Sequence, residues 1–283
     1  FQYQHADAEE VGIPGKGLNN PPPGAEITYP DATRTLVELT HRITPDAETW
    51  KASDFSVYWQ FIERRVRLEP NPLVTVRPRA DHETWGGRWQ NEFALQDHTL
   101  VLGADAWTWQ YEGLRQTYKN GSLIATDNPL ADPFQWTGGV FAEDDGKLAP
   151  KWTLNVGARI DRIRSEADGY YDPMASPGTL IEEPQANDWT SWNAHLGVTF
   201  EMTEALTLTA LGASSYRPPD MMDLYKFISL TEGDVYGNPD LDPEYAHSLE
   251  AGYLAYWENG SLLSSIYYRH RTGVIERITT LDE

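Results

Sequence analysis

The chain has 283 residues, and its 43 acidic side chains against 22 basic ones give a formal net charge of −21. A surface this acidic repels phosphate backbones, so the charge excludes nucleic acid as a partner. Hydrophobic residues make up 40% of the chain and charged residues 23%, which excludes a disordered composition. Two interpretations of the acidity stay open: a solvated surface, or an acidic mouth that attracts cations and repels anions.

The aromatic and apolar content bears on membrane insertion. The chain has 11 tryptophans and 15 tyrosines, and these residues are enriched at bilayer interfaces. No run approaches the ~18 consecutive apolar residues of a membrane-spanning helix. An alternating barrel strand keeps averaged hydropathy low, so the sequence is compatible with a membrane β-protein. Because the chain begins at Phe1 without a signal peptide and ends at Glu283 after a strand-like run, we expect an internal piece of a longer protein.

Apolar and polar side chains alternate along many segments. In residues 152–161 and 192–200 every second residue is apolar, and helices do not keep a period of two. The pattern predicts about eleven strands, many of them long enough for a tilted bilayer crossing of ~9–11 residues. In chain order the predicted strands lie near residues 1–5, 33–44, 49–66, 82–95, 99–111, 134–147, 152–164, 188–200, 205–217, 245–257 and 261–271.

The connections between these strands alternate strictly between short and long. The short ones lie near residues 44–47, 96–98, 148–151, 201–204 and 258–260. The long ones lie near residues 6–32, 67–81, 112–133, 165–187 and 218–244. A soluble sandwich gives no reason for all long connections to share one end, whereas an outer-membrane barrel has short periplasmic turns and long extracellular loops. The sequence therefore predicts an all-β fold, namely part of a transmembrane antiparallel β-barrel.

One segment carries a recognisable motif. A strand ends in Tyr216-Arg217-Pro218-Pro219, and the chain returns through Gly237-Asn238-Pro239-Asp240-Leu241-Asp242-Pro243-Glu244 into the next strand. This arrangement resembles the barrel signature of TonB-dependent receptors, and the stretches 84–105 and 139–161 are similar to paired strands of that family. Prolines end a strand ladder and Gly-Asn-Pro favours a turn, so we interpret the motif as mainly structural, with ligand contact as the alternative. The motif residues are Tyr216, Arg217, Pro218, Pro219, Leu224, Tyr225, Gly237, Asn238, Pro239, Leu241, Pro243 and Glu244.

The resemblance implies a receptor in the outer membrane of a Gram-negative bacterium that imports a scarce metal chelate. A ferric siderophore is the default ligand that it implies, with haem and cobalamin next. In the family an N-terminal plug with a TonB box engages TonB, and the barrel ends in an aromatic-terminated strand. Neither feature is visible in the sequence, so we expect residues 1–283 to be a barrel fragment that lacks the plug and the C-terminal strands. Contact with TonB would then pass through the missing plug region.

Sequence motifs for chemistry are missing. The seven histidines form no His-x-x-x-His pattern, and no Gly-x-Ser-x-Gly elbow or Gly-x-Gly-x-x-Gly loop occurs. We therefore expect no enzyme activity, no cofactor and no metal site in the chain itself. A chelate with apolar edges needs stacking surfaces and a few polar anchors, which the outer loops could supply. The candidate contacts, with loop-to-loop packing as the alternative, are Arg115, Tyr118, Tyr170, Tyr171, Tyr225 and Tyr236.

Two other functions remain open at this point. A passive porin-like channel would need a water-filled lumen without a plug. A soluble carbohydrate-binding β-protein would use the many tryptophans and would need paired carboxylates along a groove if it cleaved glycosides. A plug in the full-length sequence would exclude the porin, and solubility without detergent would favour the soluble protein. For the chain itself we expect outer-membrane lipid as a partner.

Overall fold

The computed structural model describes residues 1–12, 26–171, 180–230 and 233–278. In chain order their elements are β1 (Gln2–Gly12), β2 (Glu26–Ile43), β3 (Trp50–Asn71), β4 (Val74–Leu95), β5 (His98–Lys119), β6 (Ser122–Asp127), β7 (Phe134–Ala149), β8 (Trp152–Ala167), β9 (Tyr170–Tyr171), β10 (Leu180–Glu182), β11 (Gln185–Thr203), β12 (Leu206–Arg217), α1 (Met221–Tyr225), β13 (Phe227–Leu230), β14 (Gly233–Tyr236), β15 (Glu244–Trp257) and β16 (Gly260–Thr272). Among these residues, no helix has the length and hydropathy needed to cross a bilayer.

One antiparallel sheet contains all the long strands. Its order is β1-β2-β3-β4-β5-β7-β8-β11-β12-β15-β16, so each strand pairs with the next long strand along the chain, and β6 folds back onto β5. These eleven strands confirm the predicted number and the antiparallel arrangement. In the described part of the chain, β1 and β16 have no further neighbour, and the sheet is not closed into a barrel.

The two faces of the sheet differ in exposure as the alternation predicts. On β8 the apolar residues Trp152, Val156 and Ile160 are 41%, 39% and 50% exposed. Asp161 and Ile163, on the opposite face, are each 1% exposed. The apolar stripe therefore covers the outer face, where hydrocarbon would meet it, and the polar residues face inward.

The connections at one end are short, as predicted. These turns between consecutive strands occupy residues 44–49, 96–97, 150–151, 204–205 and 258–259. The long connections at the other end differ from the expectation in several places. Within the predicted connection 6–32, β1 continues to Gly12 and pairs with a β2 that begins at Glu26. Residues 67–81 are not a loop, because β3 and β4 continue to a two-residue turn at 72–73. Likewise β5 runs on to Lys119 and pairs with β6, so much of 112–133 is a hairpin.

A small apolar core lies at the long-connection end of the sheet. Ile163 and Trp189 on the strands pack with Met221, Leu224 and Tyr225 of α1. Trp109, Tyr216 and Leu241 are partly buried against this cluster. Hydrophobic burial thus holds α1, which follows β12, against the inner face of β8 and β11.

Candidate functional site

The motif after β12 builds a strand exit that leads directly into a helix. Pro218 and Pro219 follow the last strand residue and offer no backbone donor to continue the ladder. Asp220 then caps α1: its Oδ1 accepts a hydrogen bond from the Met222 amide at 2.6 Å, and Asp223 Oδ2 accepts one from the Asp220 amide at 3.4 Å. This capping box fixes a helix of only five residues.

The return of the motif packs closely on α1. A Cβ on Gly237 would lie 2.4 Å from the backbone oxygen of Leu224, so only glycine fits there. The Asn238 amide donates to the Asp223 carbonyl at 2.7 Å, and the Asn238 side chain accepts from the Asp240 amide at 3.0 Å. The spacing of Gly237, Asn238 and Asp240 therefore has a local physical cause, which is the turn that packs the loop against the helix.

Glu244 joins two strands and the segment after β16 where the chain re-enters the sheet. Its side chain accepts a hydrogen bond from Arg217 Nε at 2.8 Å and another from the Ile275 amide at 2.6 Å. The Arg217 guanidinium, followed by that backbone hydrogen bond, lowers the pKa of Glu244 from its ordinary value of 4.5 to about 2. The carboxylate thus ties the end of β12 to β15 and to the segment after β16.

The candidate contact Tyr225 lies inside the apolar core. It is 4% exposed, and its hydroxyl donates to Asn187 Oδ1 at 2.7 Å. Burial raises the pKa of Tyr225, so the hydroxyl stays protonated at neutral pH. Asn187 in turn donates to the Pro239 carbonyl at 2.5 Å, which links the helix, the strand and the loop return.

Arg115 and Tyr118 lie on the β5–β6 hairpin and are engaged in local contacts. Arg115 Nε donates to Asp127 Oδ1 at 2.8 Å, and Arg115 Nη2 donates to Asp127 Oδ2, so two hydrogen bonds join the ion pair. The guanidinium carbon of Arg77 lies 4.9 Å from the Tyr118 ring centroid, and the Tyr118 hydroxyl donates to Gln116 at 3.1 Å. These contacts stabilise the hairpin and preset the orientation of both side chains.

The remaining candidates lie on other connections. Tyr236 is 57% exposed, and its ring centroid lies 4.9 Å from that of Phe227. Tyr170 and Tyr171 form β9, whose backbone pairs with β10, but their side chains lie outside the described residues. Two of the connections meet, because the Phe227 amide donates to the Pro129 carbonyl at 2.8 Å. The segment after the β5–β6 hairpin therefore contacts the segment after α1. The candidate residues do not all line one pocket.

A charged cluster on the inner face was not predicted from the sequence. Arg159 donates to both carboxylate oxygens of Asp105, at 2.5 and 2.7 Å, and also to Asp161 at 2.5 to 2.9 Å. Phe141 lies beside it, with the guanidinium carbon of Arg88 4.9 Å from its ring centroid. The sequence signal was present but weak: each residue occupies a polar position of an alternating strand. Within the described ranges, no group of three or more histidine, aspartate or glutamate side chains is arranged to hold a metal ion.

An antiparallel sheet with an apolar outer face, a polar inner face and short turns at one end defines the class of outer-membrane β-barrel proteins. The profile of the family described as "TonB dependent receptor-like, beta-barrel" matches residues 2–282. The chain belongs to this family, whose members are receptors and transporters of the Gram-negative outer membrane. No curated protein sequence matches the chain.

Solved structures share the fold at low sequence identity. The "Copper transporter OprC" is 17% identical with a TM-score of 0.69, over 85% of this chain and 39% of that one. The "ferric yersiniabactin uptake receptor FyuA from Yersinia pestis" is 12% identical with a TM-score of 0.70, over 95% and 41%. The "ferric citrate transporter FecA" is 14% identical with a TM-score of 0.61, over 87% and 35%. The chain thus spans about two-fifths of the length of these proteins.

Proposed function

We propose that this chain is the barrel portion of a receptor-transporter that binds a scarce metal chelate outside the cell and imports it by TonB-coupled active transport. Family membership across residues 2–282 is the observation that carries the proposal. The structural relatives are named for copper, ferric yersiniabactin and ferric citrate, so a ferric siderophore is the first ligand to test and haem or cobalamin the next. The plug, the TonB contact and the remaining strands would lie in the part of the protein outside this chain.

The ligand would be held at the mouth by side chains of the outer connections. Stacking faces would come from Tyr118, Tyr170, Tyr171 and Tyr236, and Arg115 would attract an anionic chelate despite its pairing with Asp127. Tyr225 would act through its packing beneath the loop, because its ring is buried in the core. The role requires binding and conformational coupling, with no covalent chemistry, so we propose no enzymatic activity.

Growth on single metal sources tests the proposal. A strain that lacks the receptor should fail to grow when one chelate is the sole iron source, and the full-length gene should restore growth on that chelate. A matched strain that also lacks TonB should not be restored, because import against a gradient needs energy from the inner membrane. Restoration without TonB would favour a passive channel, and failure on every chelate supplied would overturn the transport proposal.

A further inference from the structure

Three aromatic rings lie together on the inner face of the sheet, towards the long-connection end. The ring centroid of His82 lies 5.5 Å from that of Trp109 and 5.2 Å from that of Tyr111. The Trp109 and Tyr111 centroids are 6.2 Å apart. The rings face inward with Ile163, because Trp109 packs against the core that contains it and Tyr111 pairs directly with His82. All three side chains are half-buried, so part of each ring is open to the interior. We call these three rings the aromatic platform.

The platform is held in place by packing at both ends. At one end Trp109 rests against the core that holds α1. At the other end the Tyr111 ring covers Gly113, where a Cβ would lie 2.4 Å from ring atom Cε1. The Gly113 amide donates to Asp132 Oδ1 at 3.0 Å, which fixes the backbone under the ring. The rings are therefore oriented before any ligand arrives, and stacking on them costs little conformational entropy.

Two arginines without carboxylate partners lie beside the platform. Ile62 pairs with Arg34 on β2 and with His82 on β4, and Arg64 lies two residues further along the same face of β3. Arg64 Nη2 donates to His82 Nε2 at 3.4 Å, and Arg34 Nε donates to the side-chain oxygen of a glutamine at 2.7 Å. Both arginines are exposed, and within the described ranges neither guanidinium forms an ion pair.

The missing partners stand out in a chain with a net charge of −21. Further towards the turns, Arg159 on the same inner face is paired with Asp105 at 2.5 Å. Arg64 has instead Ala32 and Ala80 as its direct neighbours on β2 and β4, and their small side chains leave its guanidinium uncovered. Two neighbouring cations repel each other, and an anion that binds both relieves that repulsion. The region is thus a local positive site in an acidic protein.

The rings and the cations are close enough to bind one ligand. Arg34 and Arg64 are diagonal neighbours on adjacent strands, a separation that long side chains bridge. From Arg34 on β2 to Trp109 on β5 the site crosses three strand spacings, or about 14 Å. An aromatic ring with an attached anionic group fits within this span, with the ring on the platform and the charge at the guanidinium groups.

We propose that Arg34, Arg64 and the aromatic platform form a binding site that selects a chelate with an anionic aromatic arm of the catecholate type. The inference rests on the proposed function and names the class of chelate. The ligand ring stacks on His82 and Tyr111, and its oxygen anions accept hydrogen bonds from the two guanidinium groups. An aliphatic chelate forgoes the stacking, and a neutral chelate forgoes the charge-assisted hydrogen bonds, so the site discriminates against both.

Titration of the full-length receptor with three defined chelates tests the selectivity. The probes are the ferric complexes of dihydroxybenzoate, citrate and acetohydroxamate. The first is aromatic and anionic, the second aliphatic and anionic, and the third aliphatic and neutral. Calorimetry of the receptor in detergent should show the dihydroxybenzoate complex binding at least about tenfold more tightly than the other two.

Two pairs of variants assign the selectivity to this site. Arg64→Gln removes one cation, and Arg65→Gln makes the same change on the opposite face of the same strand. Arg64→Gln should weaken the dihydroxybenzoate complex about tenfold, whereas Arg65→Gln should not. Tyr111→Leu removes a ring of the platform and should weaken the same complex about fivefold, whereas Tyr111→Phe keeps the ring and should bind as the wild type does.

The possible failures separate this site from the transport proposal. The site is overturned if an aliphatic chelate binds as tightly as the dihydroxybenzoate complex, or if Arg64→Gln and Arg65→Gln bind it equally well. TonB-dependent growth on the aliphatic chelate would then leave the transport proposal intact. Binding of none of the three probes would also overturn the site, and the growth test would decide on transport independently.

Discussion

At the scale of single residues, the inner face depends on glycines that make room for charged side chains. A Cβ on Gly139 would lie 2.1 Å from Asp161 Oδ1 and 2.5 Å from Arg159 Nη2. We expect Gly139→Ala to displace this ion cluster and to lower the free energy of unfolding by about 1–3 kcal/mol, as overpacking does. Thermal unfolding of the full-length receptor in detergent measures the change.

Gly197 provides the matched control for that substitution. It lies on the same inner face, and a Cβ there would make ordinary contacts of 3.7 Å. Gly197→Ala should therefore leave the unfolding temperature nearly unchanged. Equal destabilisation by the two variants would contradict the role assigned to the charged cluster.

Glu244 gives the junction of β12 and β15 a dependence on pH. Its folded-state pKa of about 2 lies below the ordinary value of 4.5, so the ionised form contributes stability above pH 4.5. That contribution is lost as the pH falls from 4.5 towards 2. Because Arg217 is 50% exposed, we expect Glu244→Gln to cost about 1 kcal/mol or less at neutral pH. Unfolding temperatures of the two proteins should converge in acid, and a constant difference would contradict the assignment.

Tyr236 is the exposed aromatic through which ligand contact can be tested most directly. If its ring stacks on the chelate, Tyr236→Ala should weaken binding by about 1 kcal/mol, or roughly fivefold. Tyr256, which is 53% exposed beside a short turn, offers a similarly exposed tyrosine at the other end of the sheet. Titration of the purified receptor with the chelate that supports growth should show weaker binding for Tyr236→Ala and none of this effect for Tyr256→Ala.

At the scale of elements, the sequence predicts strands most accurately where one face of the strand meets hydrocarbon and the other faces inward. Alternation is strict in β8 and β11 because one face meets hydrocarbon and the other faces inward, so each element could be placed within a few residues. Beyond the membrane both faces meet water, and the pattern fades. The sequence therefore predicts a loop in place of the outer parts of β3 and β4, although backbone pairing continues to Asn71 and Val74.

The candidate site was harder to predict than the strands, for a related reason. The strand exit at Pro218 and Pro219 could be predicted, because proline constrains the backbone locally. The core around Leu224 could not, because it unites residues of three distant segments and has no period of its own. The burial of Tyr225 follows from that tertiary packing, which no local pattern reveals.

Which side chains of β11 point towards lipid can be tested at this scale. Leu196 is 50% exposed on the outer face, whereas the His195 ring lies over Gly157, where a Cβ would be 2.4 Å from its Cε1. In the receptor reconstituted into bilayers, a spin label at residue 196 should be relaxed by lipid-soluble oxygen and shielded from aqueous nickel. A label at residue 195 should be much less accessible to oxygen, and the reverse order would reject the register.

At the scale of the whole molecule, the described sheet leaves two edges that a bilayer does not tolerate. Every residue of β1 and of β16 is exposed, and one backbone side of each strand has no partner among the described residues. In hydrocarbon each unpaired amide or carbonyl costs several kcal/mol, so only a closed barrel is stable there. We therefore propose that further strands of the full-length protein pair with these edges.

This requirement predicts how the isolated chain behaves. Residues 1–283 refolded alone into detergent should give no compact, heat-modifiable band on electrophoresis and should aggregate through the open edges. The full-length receptor under the same conditions should give that band, because closure pairs every strand. A monomeric, heat-modifiable form of residues 1–283 would mean that β1 and β16 can pair with each other, and the chain would then form a small barrel of its own.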